Sequence, residues 1–439
     1  MRKNSLLNTI TFLALMVTIV SLSVIIFFNE IGAPGGAYDN SGVAPTNSVT
    51  PHVEQTTVQT VTSTPVKTPE PTPEPTPVPV PEDINITMNF AGDFLMHDIF
   101  FKQAKKTDGT YDFTRFFDQT ANFMKDADFT VANLETTFAG AAAGYSGYPR
   151  FNTPDSLCDT MKDLLGIDMI LTVNNHCIDK GFEGLKNTLK VIDERGLYHT
   201  GTYADKESSE KVQIIEIKGV KFSFLAYTYS LNGLKLPAGS EFAANMINYD
   251  KIQSDAQKAR EAGAEYIICL PHWGVEYALT ESATQRKQAK WIFENTEVDM
   301  IVGGHPHVVE PADYMTVTTK DGKEKTGFIL YSLGNFISSH GTRKDYADTG
   351  IVLNVALKKD GVSGKIDISS IQYIPVVIDY TKGDINHNRL VGMQDAIVGY
   401  ENGSAPTITK AEYDKFMMYK KYYKGIFEKA EVTEKIYTN

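Results

Sequence analysis

The stretch VDMIVGGHPHVVEP, Val298 to Pro311, decides how the rest of the chain is read. Its apolar run, Val298 to Val302, has the length and side chains of a buried strand, and it stops at two glycines followed by two histidines one residue apart. On an extended or turning backbone His305 and His307 can point toward a shared centre, and Gly303 and Gly304 let the backbone approach closely. A strand that ends in paired imidazoles is a metal-site pattern.

Working outward, four more apolar runs end in short segments rich in Asp, Glu, Asn and His. Ile84, Ile86, Met88 and Phe90 alternate as in a half-buried strand and lead to Ala91-Gly92-Asp93. Phe129 to Ala132 leads to Asn133-Leu134-Glu135, Asp168 to Val173 to Asn174-Asn175-His176, and Tyr266 to Leu270 to Pro271-His272-Trp273-Gly274. Open α/β sheets bind ligands outside the carboxyl ends of their strands, so five such endings point to one site. Singly each piece is weaker: Asp93 could cap a helix, and Glu135 could pair with an arginine.

Stretches with helical spacing precede these runs, among them Thr153 to Leu165, where Thr153 can cap and Pro154 opens the first turn, and Tyr249 to Ala262. Such alternation predicts an α/β fold with a largely parallel sheet. Lys211 to Tyr229, turning at Lys218-Gly219, and the segments Tyr314 to Ser332 and Gly350 to Ile378 read as hairpins, which makes the sheet system mixed.

Imidazole and carboxylate ligands together suit Zn, Mn or Fe rather than the all-oxygen cages of Ca. Two such divalent ions about 3.5–4 Å apart would clamp a substrate oxyanion and activate water. That matters because the chain has a net charge of −12, which excludes general attraction to nucleic acid or an acidic membrane surface. An anionic ligand needs a local cationic site, and metal would supply it.

The ends carry a different message. Residues 1–4 read as a cytoplasmic stub, and Ser5 to Phe28 holds no charge and is long enough for a single transmembrane helix. Arg2 and Lys3 before it place the rest of the chain outside the cytoplasm, and the length of the run favours a retained anchor over a cleaved signal. Residues 29–82 form a Pro/Thr-rich linker, with proline at every second position from Pro69 to Pro81, read as a stiff polyproline stalk. A domain is expected over 83–380 and a helical, exposed-looking extension over 381–439. Within the extension Asp384, Asn386, Asn388 and Asp395 have the spacing of a calcium loop, but Arg389 stands where glycine is needed, so it reads as loop and helix. Cys158, Cys177 and Cys269 are odd in number and far apart, which predicts reduced, buried thiols. Cys177, beside His176, is read as a core residue rather than a ligand.

Taken in order, the motifs GD, NLE, NNHxxDxG, HWGxEY, GGHPHVVEP and YSLGNF resemble the CapA/PgsA-type poly-γ-glutamate capsule-synthesis family across Ile84 to Ile378. That family is similar to calcineurin-like metallophosphoesterases, and the resemblance implies a layered α/β/β/α sandwich with mixed sheets. It also implies roles. Asp93 resembles a first-metal ligand and Glu135 stands where a bridging Asp usually sits. Asn175, His272 and His305 resemble second-metal ligands, and His307 the remaining ligand of the first. His176 matches the histidine that protonates a leaving group, with Asp179 a candidate to orient it and Glu276 a candidate outer carboxylate or base. Two departures stand out: the Asp-x-His of the first motif is broken by Leu95, with His97 too far along to be taken as its equivalent, and Glu135 is one carbon longer than Asp. The first metal position is therefore expected to be weak or empty, and phosphoesterase activity does not follow from the fold. Trp273 and Tyr277 are left between stacking on a ligand and packing, and Asn335 between the site and an ordinary turn.

The function implied is that of a membrane-anchored, extracytoplasmic protein in the biosynthesis, export or anchoring of an anionic cell-surface polymer such as poly-γ-glutamate. Its expected partners are that polymer, the membrane and other membrane capsule-synthesis subunits. The alternative is a free-standing metal-dependent phosphoesterase or γ-glutamyl amide hydrolase acting on envelope material. A groove lined by Lys and Arg would favour the first, and a closed pocket the second.

Overall fold

The structure, a computed structural model, describes residues 81–340, 344–379 and 388–437, all within a compact unit spanning Pro77–Asn439. The expected membrane helix and the stalk up to residue 80 lie outside the described residues, as do Asp384 and Asn386 of the calcium-loop spacing. Among the described residues no helix is long and apolar enough to cross a membrane.

The chain builds one sheet, then another, then returns to the first. The first begins with β1 (Ile84–Phe94), β2 (Phe129–Leu134), β3 (Met169–Leu171) and β4 (Tyr198–Thr200), which lie side by side and parallel. The second holds β5 (Ile215–Ile217), β6 (Val220–Thr228), β7 (Tyr266–His272), β8 (Met300–Val302), β9 (Ala312–Thr318) and β10 (Glu324–Leu330) in the order β5-β6-β7-β8-β10-β9. Its central strands are parallel, and its two edges are the hairpins expected from Lys218-Gly219 and from the segment before Ser332. β11 (Asn335–Ile337), β12 (Thr349–Lys359), β13 (Ile366–Asp379), β14 (Arg389–Gly392) and β15 (Thr433–Glu434) complete the first sheet, ordered β14-β13-β12-β1-β2-β3-β4 with β11 on β1 and β15 on β13.

Strand periodicity creates the layers. In β8, Met300 and Val302 point into a core between the sheets while Ile301 points outward, and in β7 Ile268 and Leu270 alternate with Ile267 and Cys269 in the same way. The outward side chains meet α2 (Tyr249–Glu261) and α3 (Ala283–Asn295), which follow α1 (Gly181–Glu194) in the chain and present Ile252, Ala256, Ala289 and Phe293. The outer face of the first sheet is covered by Phe100, Phe116, Leu157 and Met161, with Ile192 of α1. Each such large side chain contributes about 1.5–3 kcal/mol when buried. Helix, sheet, sheet and helix therefore stack as the α/β/β/α sandwich expected.

Two local expectations fail or change. Thr153 does not cap a helix: its hydroxyl lies 2.8 Å from that of Thr136, and the helix begins only at Ser156 and widens into a turn closed by the Leu165 N–H on Thr160 O at 3.1 Å. The tertiary hydroxyl partner wins over the local cap because Thr153 is fully buried. The C-terminal stretch is packed rather than exposed. After α4 (Met393–Glu401), α5 (Lys410–Phe427) starts at a Thr409/Glu412 capping box and buries Phe416, Tyr419, Tyr423 and Phe427, at helical spacing, in the inter-sheet core. The three cysteines are free and buried, and Cys177 lies in that same core.

Candidate metal centre

The carboxyl ends of β1, β2 and β3 in one sheet and of β7 and β8 in the other come together at one end of the sandwich. Asp93 sits at an irregularity in β1, where its N–H donates to Gly334 O at 3.1 Å and a Cβ on Gly92 would lie 1.9 Å from that same oxygen. Glu135 follows β2 directly, Asn175 follows β3, His272 ends β7, and His305 and His307 lie just past β8. Gly303 is required here, since a Cβ would fall 2.1 Å from Tyr331 O and 2.5 Å from the Trp273 ring nitrogen. His305 and His307 both hold positive φ, at 101° and 61°. Such backbone costs of order 1–3 kcal/mol per residue and persists where surrounding structure enforces it.

All six ligand candidates, Asp93, Glu135, Asn175, His272, His305 and His307, are 3 % exposed or less. His307 Nδ1 lies 3.3 Å from Asp93 Oδ2, His307 Nε2 lies 3.8 Å from Glu135 Oε1, and His272 Nε2 lies 3.7 Å from the same Glu135 oxygen. Ligand atoms of Glu135, His305 and His307 all fall within 4.8 Å of one another. His272 Nε2 is 2.8 Å from Asn175 Oδ1, which puts the expected second-position pair in contact.

The electrostatics of this cluster fit a cation. Asp93 Oδ2, both oxygens of Glu135 and Nδ1 of His305 are buried without a hydrogen-bond partner. Among the described residues the ion-pair partners of the two carboxylates are histidines, not Lys or Arg. A buried, unpaired carboxylate costs several kcal/mol. Accordingly burial, then the Asp93 carboxylate, holds Glu135 well above the usual carboxyl range. Burial and neighbouring imidazoles push His272 and His305 far down, which keeps them in the neutral form that binds metal. The donor set fits a divalent transition metal: Asp93, Glu135 and His307 would hold one at a first position, and Glu135, Asn175, His272 and His305 would hold one at a second. Such ions, when bound, polarise a substrate oxygen and lower the pKa of water.

Around them stand groups that orient ligands and handle protons. Asn133 Nδ2 donates to Asp93 Oδ1 at 2.7 Å, and Asn335 Oδ1 lies 3.0 Å from His307 Nδ1. Asn335 thus belongs to the site rather than to an ordinary turn. His176 Nδ1 is 2.7 Å from Asp179 Oδ2, and its Nε2 faces Asn232 Nδ2 at 3.3 Å. An amide N–H on Nε2 leaves the imidazole proton on Nδ1, so Nε2 can take up a proton and pass it to a leaving group. Asn232 also accepts from Asn175 Nδ2 at 3.2 Å, which links proton handling to the metal ligands. Glu276 is not brought into the cluster. It is exposed at the mouth of a cleft of about 640 Å3 that His176, His307, Tyr148, Tyr277 and Lys344 also line. Tyr277 faces that cleft with the Lys344 ammonium 5.2 Å from its ring, whereas Trp273 is packing, its indole N–H donating to Tyr331 O at 3.0 Å.

The strand-end pattern does not reveal Asn133 or Asn232 as partners, nor His340, which lines the cleft with its ring 4.7 Å from that of His307. Asn133 was visible inside its strand-end segment, but Asn232 and His340 stand in loops a few residues past β6 and β11, outside the segments dense in Asp, Glu, Asn and His. His97, set aside as too distant along the chain, lines the same cleft, and burial lowers its imidazole to about 4.

A model of the bacterial capsule synthesis proteins, PGA_cap, matches residues 87–340. The chain belongs to that family. The match covers every ligand candidate, while α4 and α5 lie beyond it. It is similar to the capsule biosynthesis protein CapA of Bacillus anthracis, 25% identical over 58% of this chain and 60% of that one. It is also similar to the PGA biosynthesis protein CapA of Bacillus subtilis, 26% identical over 65% of this chain and 71% of that one. Among solved structures, NAD nucleotidase of Haemophilus influenzae matches with a TM-score of 0.44 and 12% identity, over 82% of this chain and 65% of that one. The calcineurin-like phosphoesterase YfkN of Bacillus subtilis matches with a TM-score of 0.39 and 14% identity, over 67% of this chain and 91% of that one. Likenesses of that size say nothing about activity.

Proposed function

We propose that this capsule synthesis protein is a membrane-anchored, extracytoplasmic protein that uses a divalent-metal centre on an anionic cell-surface polymer such as poly-γ-glutamate, in its synthesis, export or anchoring. The observation that carries the reading is the buried set of carboxylate and imidazole atoms without hydrogen-bond partners, in a chain of the capsule synthesis family. The chain supplies binding and orientation through Asp93, Glu135, Asn175 and the three histidines, and a proton route through His176, Asp179 and Asn232. Among the described residues that line the cleft, the ammonium of Lys344 is outnumbered by the carboxylates of Asp98 and Glu276. A polymer would therefore be gripped at the metal centre rather than along a basic track. The length of Ser5 to Phe28 and the stalk after it support the anchor and its outward-facing domain.

The cleft's volume lies in the range of small-ligand sites, about 300–1,000 Å3, and favours a second reading in which the centre hydrolyses an envelope phosphoester or γ-glutamyl amide. The test is to incubate the full-length chain in detergent, loaded with Mn, with poly-γ-glutamate and with a set of aryl phosphoesters. Metal-dependent binding or shortening of the polymer, abolished in His305→Ala, is expected. Turnover of phosphoesters with no effect on or binding of the polymer would replace the first reading with the second.

A further inference from the structure

The first metal position lacks an imidazole that its neighbours lead one to expect. Leu95 occupies the place of the histidine in Asp-x-His, and it is buried with its N–H tied to Ile337 O at 2.9 Å, so no side-chain movement brings a donor in from there. Asp93, Glu135 and His307 are left to hold an ion on their own. On the cleft side of His307, however, stands a further imidazole. The ring of His340 lies 4.7 Å from the ring of His307, centroid to centroid. His272 and His305, which converge on the second position, are separated by 4.8 Å. Two imidazoles binding one ion at nitrogen–metal distances of about 2.0–2.1 Å are compatible with that separation.

The backbone around His340 is tied to the site. β11 pairs with β1 so that Asn335 lies beside Asp93, and Asn335 reaches His307. Ser338 Oγ donates to Ala347 O at 3.2 Å and accepts the His340 N–H at 3.3 Å. The Ser339 N–H lies 3.3 Å from Nδ1 of His97, whose ring is 4.8 Å from that of His340. His97 is thus placed to hold the loop, and His340 to reach the ion.

We propose that His340 supplies the imidazole that Leu95 cannot, completing with Asp93, Glu135 and His307 a first position for a divalent first-row transition metal. The inference rests on the metal-centre reading above and adds a ligand from outside the strand-end motifs. It also reverses the expectation of a weak or empty first position.

The experiment titrates Mn into metal-free full-length protein in detergent, with metal content, chelator competition and the electron paramagnetic resonance of a coupled pair as readouts. The unaltered chain is expected to hold two ions, and His340→Ala and His340→Gln one tight ion, with the second weakened at least about tenfold and the coupled signal lost. Free imidazole should restore the pair in His340→Ala, which loss of folding would not allow. Two tight ions in both His340 variants would overturn the assignment of His340 while leaving the metal centre standing. No ion in the unaltered chain would overturn both.

Discussion

At the residue scale, the chain places ionisable groups where water cannot reach them, and each needs a specific partner. Glu310, three residues beyond His307, is a second case. It is fully buried, Gln285 Nε2 donates to it at 2.6 Å, and burial raises it from 4.5 to about 8. Between those values the folded chain holds a proton that the unfolded chain has released. Its contribution to stability therefore falls as pH rises from about 4.5 to about 8, by a few kcal/mol in all, and is level above that. Glu310→Gln should remove that slope, leaving a chain relatively more stable at pH 8 than at pH 5, as read from denaturant midpoints at the two values. His176→Ala tests another role. It should leave metal content intact and slow hydrolysis of any substrate with a poor leaving group by about 10²-fold or more, measured against one whose leaving group needs no proton. Asp93, Glu135, Asn175, His272, His305 and His307 were legible because each follows a strand whose apolar run is plain in the sequence. Asn232 and His340 were not, because a loop residue's position depends on contacts far away in the chain, such as the one between Ser339 and His97.

At the element scale, glycines and one helix hold the strand ends in place. Gly303→Ala forces a Cβ against the Tyr331 carbonyl and the Trp273 indole. We expect it to cost about 3 kcal/mol or more, seen as a lower thermal midpoint together with weaker metal binding. α5 acts on the same region through its tyrosines. The hydroxyl of Tyr422 lies 2.7 Å from Leu279 O and 2.8 Å from Val309 O, and that of Tyr419 donates to Asp348 at 2.7 Å. Tyr422→Phe should cost about 1 kcal/mol by denaturant unfolding. Helical spacing revealed α5 in the sequence, but its burial did not show: Lys and Tyr are interspersed along it, and whether a tyrosine faces water or core depends on partners elsewhere. The same physics moved the start of the helix after Thr153, whose hydroxyl found Thr136 instead of its own backbone.

At the scale of the whole molecule, two sheets bring separate halves of the chain to one centre, the first giving Asp93, Glu135 and Asn175 and the second His272, His305 and His307. Neither half holds a complete ligand set, so a metal at this site ties one sheet to the other and should stabilise the folded chain as well as act on substrate. In an acidic chain that centre is also the place where positive charge can gather. The direct test is the metal content of the full-length chain, purified after incubation with Mn, Zn or Fe, beside that of a His305→Ala, His307→Ala double variant. The account predicts about two transition-metal ions per chain, lost in the variant with a fall in thermal midpoint. An unaltered chain that binds no metal, or a variant that keeps the same content, would contradict it.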